Sequence, residues 1–254
     1  MKITFLGTGT SQGVPVIGCN CEVCNSLDFR DKRLRTSVHI EVDDLSLVID
    51  TGTDFRQQML RARITKLDAI LFTHQHKDHT GGLDDIRPFY FKQGMKDIPI
   101  YADERVITAL QKEYSYIFAE KKYPGIPSVE LINIENKPFK INSLEIIPIQ
   151  VMHHKLPIFG FRIKNFTYIT DANYISPEEI EKIKGTEVLV LNALHHTPHI
   201  SHFTLAEAIE VARIINPKQT YFTHMSHHIG FHQKVNDSLP LHFNLAYDGM
   251  TLLL

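Results

Sequence analysis

The stretch LFTHQHKDHTGG, residues 71–82, constrains this chain more than any other. It sets four metal-ligand types, His74, His76, Asp78 and His79, within six residues. The apolar run DAILF, residues 68–72, feeds into it and reads as a buried strand. If the segment stays extended, His74 and His76 point to one side, because side chains alternate along a strand. Asp78 and His79 follow where Thr80-Gly81-Gly82 turns the chain. Neutral imidazoles and a carboxylate at this spacing suit a divalent transition metal, and there are ligands enough to begin two sites. A solvated, histidine-rich loop would account for one His-x-His pair. It accounts poorly for four ligand types between an apolar strand and a Gly-Gly turn.

The chain has 254 residues, enough for one large domain or two small ones and for a sizeable core. No linker or fine repeat divides it, so a single domain over 1–254 is expected. The formal charge of −2 leaves no footprint for nonspecific nucleic-acid binding. The compositional anomaly is fifteen histidines, most of them in four clusters. The opening MKITFLGTGTS has too short an apolar run for a signal peptide, and no later run is long enough to span a membrane. A cytoplasmic location is expected.

Residues 2–6 alternate and read as a first strand, ending in Gly7-Thr8-Gly9-Thr10-Ser11-Gln12-Gly13. The last glycine spacing is one residue too long for a dinucleotide fingerprint, and a cysteine loop follows where a helix should start. A Gly-rich turn is the plainer reading. Cys19-x-Cys21-x-x-Cys24 packs three thiols too closely for a secreted disulfide framework and points to a metal. A closed structural zinc site needs four ligands, so one must come from elsewhere. A redox pair, or three unrelated buried thiols, are the alternatives.

Residues 36–42 and 46–50 form a hairpin about Asp43-Asp44. The second strand ends in Asp50-Thr51-Gly52, where Asp50 is either a turn former or the partner that orients a ligand histidine. Residues 54–63 read as a helix with Phe55, Met59 and Leu60 on one face. A strand at 99–102 and a helix at 104–118 follow, with Val106, Ile107, Leu110, Tyr114 and Ile117 as its core stripe. Strands are expected at 129–134, 139–141, 144–151, 159–163 and 167–170. Ser176-Pro177 starts a helix. Strand, helix, strand and strand then follow at 187–192, 204–215, 219–223 and 245–252. The pattern fits helices outside two packed sheets.

Two closed coordination shells need more ligands than the central stretch supplies. Three later apolar strands end in ligand types: Met152-His153-His154, Asp171-Ala172 and His224. Each alone is commonly a cap or a solvated residue. Together they could converge on one edge of the sheets.

The His-x-His-x-Asp-His stretch resembles the motif of the metallo-β-lactamase superfamily. That resemblance implies a four-layer αββα fold, two β-sheets sandwiched between helices. It implies His74, His76 and His153 on one metal, Asp78, His79 and His224 on a second, and Asp171 bridging them, with Asp50 supporting the ligands. His153 is preferred to His154 because VMHHKLPIFGFRI is similar to the family's His-x-x-Leu…Gly-Tyr-Arg segment. LGTGTSQGVPVIGCNCEVC, TDANYI and THMSH resemble the branch containing the phosphoribosyl cyclic phosphodiesterase of phosphonate catabolism. That branch implies a structural zinc on Cys19, Cys21, Cys24 and His227, with its loop at about 13–30. Ser226 stands where the family's late motif usually has Asp. In NALHHTPHISHFTLAEA, His202 matches the Ser-His-x-Thr segment, which implies a histidine that contacts the phosphate or protonates the leaving oxygen. His195, His196 and His199 read as solvated or structural. Residues 104–127 and those past His228, which match little that is specific, are where selectivity is expected.

The expected cofactors are two divalent ions, zinc or manganese, plus the structural zinc. Two ions roughly 3.5–4 Å apart hold a hydroxide between them and neutralise charge on a phosphoryl group. The reaction read from this is hydrolysis of a small phosphodiester, cyclic ones included, with His202 and Asp78 in the catalytic set. RNase Z-like processing of tRNA is an alternative, though no basic, Gly/Pro-rich arm is evident. So is thioester or lactone hydrolysis. A zinc-stabilised binding module is the non-enzyme alternative. The expected partner is a small molecule, with no membrane and no strong nucleic-acid signal. A homodimer is left open.

Overall fold

The computed structural model describes residues 1–119, 121 and 123–254. Glu120 and Lys122, within the stretch expected to carry selectivity, lie outside the described residues. Among the described residues fifteen strands form two mixed sheets. The first comprises β1 (Lys2–Gly7), β2 (Ser37–Val42), β3 (Leu45–Ile49), β4 (Ala69–Leu71), β5 (Ile98–Ala102) and β6 (Val129–Asn133). The second comprises β7 (Phe139–Ile141), β8 (Leu144–His153), β9 (Leu156–Ile163), β10 (Phe166–Ile169), β11 (Tyr174–Ile175), β12 (Val188–Asn192), β13 (Gln219–Thr223) and β14 (Phe243–Leu245). β15 (Thr251–Leu253) returns to pair with β1 in the first sheet. The helices are α1 (Phe55–Ala62), α2 (Lys77–Thr80), α3 (Arg87–Lys92), α4 (Glu104–Glu113), α5 (Pro177–Ile183), α6 (Leu205–Ile215) and α7 (His232–Ser238).

The contacts divide the chain into two compact units, one per sheet. The first is Met1–Gly7, Arg35–Glu135 and Gly249–Leu254; the second is Thr8–Leu34 and Asn136–Asp248.

In the first unit, β1 to β3 pair antiparallel and β3 to β6 parallel. The β2–β3 hairpin turns on Asp43 (φ 48°) and Asp44 (φ 62°), both left-handed as a two-residue type I′ turn requires. Phe55 and Met59 of α1 pack on Leu6, Val48 and Ile70, and Val106, Ile107 and Leu110 of α4 join the same core. Each such side chain contributes roughly 1.5–3 kcal/mol on burial. Two expectations are corrected. Leu60 is 62% exposed, because α1 turns only Phe55, Gln58 and Met59 inward. α4 stops at Glu113, although Tyr114 and Ile117 beyond it are buried as expected.

The second unit runs antiparallel from β11 through β8 and β9 to β10, then parallel through β12, β13 and β14. Leu205, Ala208, Ala212 and Ile215 of α6 pack on Leu189, Leu191 and Phe222. A capping box starts α6, with Thr204 and Glu207 each accepting a backbone N–H of the other. The single strand expected at 245–252 is two short strands, β14 and β15, separated by a turn with Gly249 at φ 90°. No helix among the described residues is long and apolar enough to cross a membrane.

Candidate metal centre

The first unit brings His74, His76, Asp78 and His79 together. The chain stays extended past β4, and His76, at φ −65° and ψ 151°, precedes α2. His74 Nε2 lies 3.0 Å from His76 Nδ1. Around a tetrahedral ion with bonds of about 2.0–2.1 Å, neighbouring ligand atoms sit about 3.3 Å apart. The single helical turn of α2 then carries Asp78 and His79, so the chain turns ahead of the glycines rather than at them. His79 Nε2 is 3.3 Å from Asp78 Oδ2.

Asp50 organises this set. It is fully buried at φ 65° and accepts hydrogen bonds from His79 Nδ1 at 2.7 Å, Thr73 N–H at 2.9 Å and Thr73 Oγ1 at 2.8 Å. Burial pushes its carboxyl up, and the His79 and Thr73 bonds oppose that. Because the Thr73 hydroxyl donates to Asp50, it accepts from His74 Nδ1 at 3.0 Å. Both rings therefore carry their proton on Nδ1 and present Nε2 as the ligand atom. The backbones here are in direct contact. Thr51 N–H donates to His79 O at 2.7 Å, and Gly82 N–H to Thr51 O at 2.8 Å. A Cβ on Gly52 would lie 2.0 Å from Asp78 O, so this position admits only glycine.

The second unit brings His153, Asp171, His202 and His224 together. β8 reaches His153, whose Nδ1–H is shared between Asp171 O at 2.9 Å and Ser201 O at 3.0 Å, leaving Nε2 as the ligand atom. His154 sits in the exposed hairpin turn at φ 54°, its N–H donating to Asn173 Oδ1. Asp171 follows β10 at φ 60° and His224 follows β13 at φ 56°. Left-handed backbone at non-glycine residues is uncommon, and here it aims two strand-end side chains. Asp171 Oδ1 is 3.1 Å from His224 Nε2, and Asp171 Oδ2 accepts from Thr170 Oγ1 at 2.6 Å.

His202 stacks on His224 with centroids 4.9 Å apart and lies 4.8 Å from the ring of His153. Its Nδ1 is buried without a hydrogen-bond partner, 3.9 Å from Asp171 Oδ1. Burial, with the neighbouring His224 ring adding to it, pushes His202 down to about 3, so this histidine is neutral.

Cys19, Cys21 and Cys24 close on His227, all within the second unit. Their Sγ atoms lie 3.5, 3.2 and 3.5 Å from His227 Nδ1. All four ligand atoms fall within 4.8 Å of one another. The cysteines are unbridged. Val16 N–H points at Cys24 Sγ and Cys24 N–H at Cys21 Sγ. That hydrogen bond is the largest influence holding Cys21 down to about 6, whereas burial pushes Cys24 up to about 11.

The donor chemistry in each unit fits divalent transition ions: imidazoles with fixed tautomers, carboxylates and clustered thiols. One residue of this machinery was not anticipated. Asn192, closing the apolar strand VLVLN, grips the peptide after Asp171. A lone amide at the end of an apolar run was the available signal.

A model of the beta-lactamase superfamily domain matches residues 46–225. The chain belongs to the metallo-β-lactamase superfamily. Its two mixed sheets with helices match the superfamily's αββα fold. A crystal structure of a diphosphatase from the PhnP family is 40% identical, with a TM-score of 0.93, over 100% of this chain and 97% of that one. An octanoyltransferase of Porphyromonas gingivalis (strain ATCC BAA-308 / W83) is 39% identical over 100% of this chain and 52% of its own length. A ribonuclease Z of Prochlorococcus marinus (strain AS9601) is 28% identical over 64% of this chain and 49% of its own. The superfamily chain thus spans about half the length of these curated relatives.

Proposed function

We propose that this chain is a metal-dependent phosphodiesterase acting on a small phosphodiester, cyclic ones included. On this reading His74, His76 and His153 hold one divalent ion, Asp78, His79 and His224 a second, and Asp171 bridges the two. The ions are zinc or manganese. Cys19, Cys21, Cys24 and His227 hold a zinc that secures the loop at about 13–30 and takes no part in the chemistry.

The observation that carries the reading is the anchoring of Asp171. Its carbonyl orients His153, its carboxylate meets His224, and Asn192 clamps the next peptide. The likeness to a PhnP-family diphosphatase supports phosphorus as the atom attacked. Bound ions supply charge neutralisation for the phosphoryl oxygens and a lowered pKa for a water. The chain's own residues do the rest. Asp50 and Thr73 hold His79 and His74 in their ligand tautomers. His202, neutral before substrate arrives, would gain basicity beside an anionic phosphoryl group and take up a proton from solvent, and the resulting imidazolium would give that proton to the leaving oxygen and return to neutral imidazole.

RNase Z-like cutting of tRNA precursors is the second reading, favoured by the match to a ribonuclease Z. The formal charge of −2 gives that reading no electrostatic support. Turnover of bis-p-nitrophenyl phosphate, a thioester and a tRNA precursor by the metal-loaded protein separates the readings. Metal-dependent cleavage of the diester alone supports the proposal. Faster thioester turnover, or cleavage confined to tRNA, overturns it.

A further inference from the structure

The turn α2 carries Asp78 and His79 within four residues, Lys77–Thr80. A helix this short does not hold itself, because nucleating one turn fixes more dihedral angles than its few hydrogen bonds offset. Its place must come from bonds to its surroundings. On one side Asp50 receives His79 Nδ1–H, Thr51 N–H donates to His79 O at 2.7 Å, and the Gly52 backbone lies against Asp78 O. These contacts secure the middle of the turn. Its last residue, Thr80, is tied inward, with its N–H and Oγ1 donating to His76 O at 3.0 and 3.1 Å.

The other side of the turn meets the end of α4, also in the first unit. Tyr114 OH donates to Thr80 O at 2.8 Å, and both residues are buried. Lys77 and Glu113 pair across the same two elements, but the lysine side chain is 66% exposed and solvent screens that pair. Tyr114 is thus the buried link. Its ring belongs to the core that includes Leu83, Ile86 and Leu110. Its N–H donates to Leu110 O at 2.8 Å, and its carbonyl accepts from Ile117 N–H at 2.8 Å. Ring and backbone are therefore both fixed, and the hydroxyl is held where it points. Burial is the main cause pushing this phenol's pKa up, so the hydroxyl keeps its proton and donates. A phenylalanine would fill the same space in the core. What the hydroxyl adds is a bond to the carbonyl one residue past His79. Ligand groups work only when held within about 0.5 Å of their productive geometry, and this bond acts on that scale.

We propose that Tyr114 is a positioning residue for the ion assigned to Asp78 and His79. Its hydroxyl pins the C-terminal end of α2 and so sets where those two side chains present their ligand atoms. The proposal rests on reading Asp78 and His79 as metal ligands and holds whatever substrate is cleaved. It also ties the segment after α4, where selectivity is expected, to the turn that bears the metal.

The test is calorimetric titration of Mn²⁺ into protein dialysed against chelator, with melting followed alongside so that only folded proteins are compared. Tyr114→Phe should bind one of its two active-site ions roughly three- to tenfold more weakly, the worth of one hydrogen bond in an equilibrium, and leave the other unchanged. The loss should recur in a His76→Ala background. In an Asp78→Ala background, where that ion's ligand set is already broken, Tyr114→Phe should add nothing. Tyr116→Phe is the control, since it removes a hydroxyl from the same segment that donates to Asp84 Oδ1 at 2.6 Å and not to α2. It should bind both ions as the wild type does. Wild-type affinity in Tyr114→Phe, an equal loss on both ions, or the same loss in Tyr116→Phe overturns the positioning role and leaves Tyr114 a core residue. A wild type that takes up neither Mn²⁺ nor Zn²⁺ beyond the cysteine site overturns the metal reading itself, and the proposal with it, so the wild-type titration tells the two failures apart.

Discussion

Asn192 holds the peptide of Ala172 with both ends of its amide. Its Oδ1 accepts from Ala172 N–H at 2.7 Å, and its Nδ2 donates to Ala172 O at 2.9 Å. Ala172 follows the left-handed Asp171, and its carbonyl also accepts from the N–H of Phe203, the residue after His202. One buried side chain on β12 thereby couples the carboxylate to the histidine beside it.

Asn192→Ala strands the Ala172 N–H, while the carbonyl keeps Phe203. A buried unpaired donor costs about 1–3 kcal/mol, and each kcal/mol lowers Tm by roughly 2–4 °C in a chain this size. The variant should melt several degrees lower and hold less metal at equal free-metal concentration. Unchanged melting and unchanged metal content would remove Asn192 from the positioning role.

Cys21→Ser should lose one metal and much thermal stability, because a closed zinc site contributes to folding directly. Activity per folded molecule should change little. Elemental analysis, melting and single-turnover rates decide this. A large fall in turnover at constant Tm would place the cysteine loop in the chemistry.

His39 gives a pH dependence remote from the metal ligands. It is buried on β2, where burial is the main cause pushing it down to about 4. Ser46 Oγ donates to Lys66 O, so His39 Nε2–H donates to Ser46 Oγ at 2.8 Å and Nδ1 has no proton. The unfolded chain binds this proton near pH 6.5 and the folded chain does not, so stability is complete above about 6.5 and is lost as pH falls towards 4. His39 should account for about 2 kcal/mol of the stability lost between pH 7 and pH 5. Urea unfolding of wild type and His39→Gln at both pH values measures it. An equal pH dependence in the two proteins contradicts the assignment.

Much of this was legible because ligand chemistry is written in short range. His74, His76, Asp78 and His79 stand together in the chain, and Asp50, His153, Asp171 and His224 each close or follow an apolar strand. The strands were readable from alternation, though residues 245–252 joined two strands across a turn whose left-handed Gly249 only the backbone reveals. α7, HQKVNDS, buries only His232 and Val235, too little periodicity to announce a helix. The left-handed conformations of Asp50, Asp171 and His224 were not readable, since nothing local to those residues demands them. Nor was the Asn192 clamp, because its partner lies twenty residues away in sequence.

His202→Ala separates two roles. A nitrophenolate leaves without help, whereas a sugar or alkyl alkoxide needs a proton. Loss of a general acid costs about 10²–10⁴ in rate. The variant should lose that much on alkyl or sugar diesters and far less on bis-p-nitrophenyl phosphate. Equal losses on both, appearing mainly in KM, would instead make His202 a phosphate binder.

The central claim, a binuclear centre bridged by one carboxylate, meets its most direct test in the metal content of Asp171→Ala. Three metals per chain are expected in the wild type. The variant should keep one, the zinc on Cys19, Cys21, Cys24 and His227, and lose hydrolysis of bis-p-nitrophenyl phosphate. A folded Asp171→Ala protein that retains three metals per chain would contradict the bridging role and the mechanism built on it.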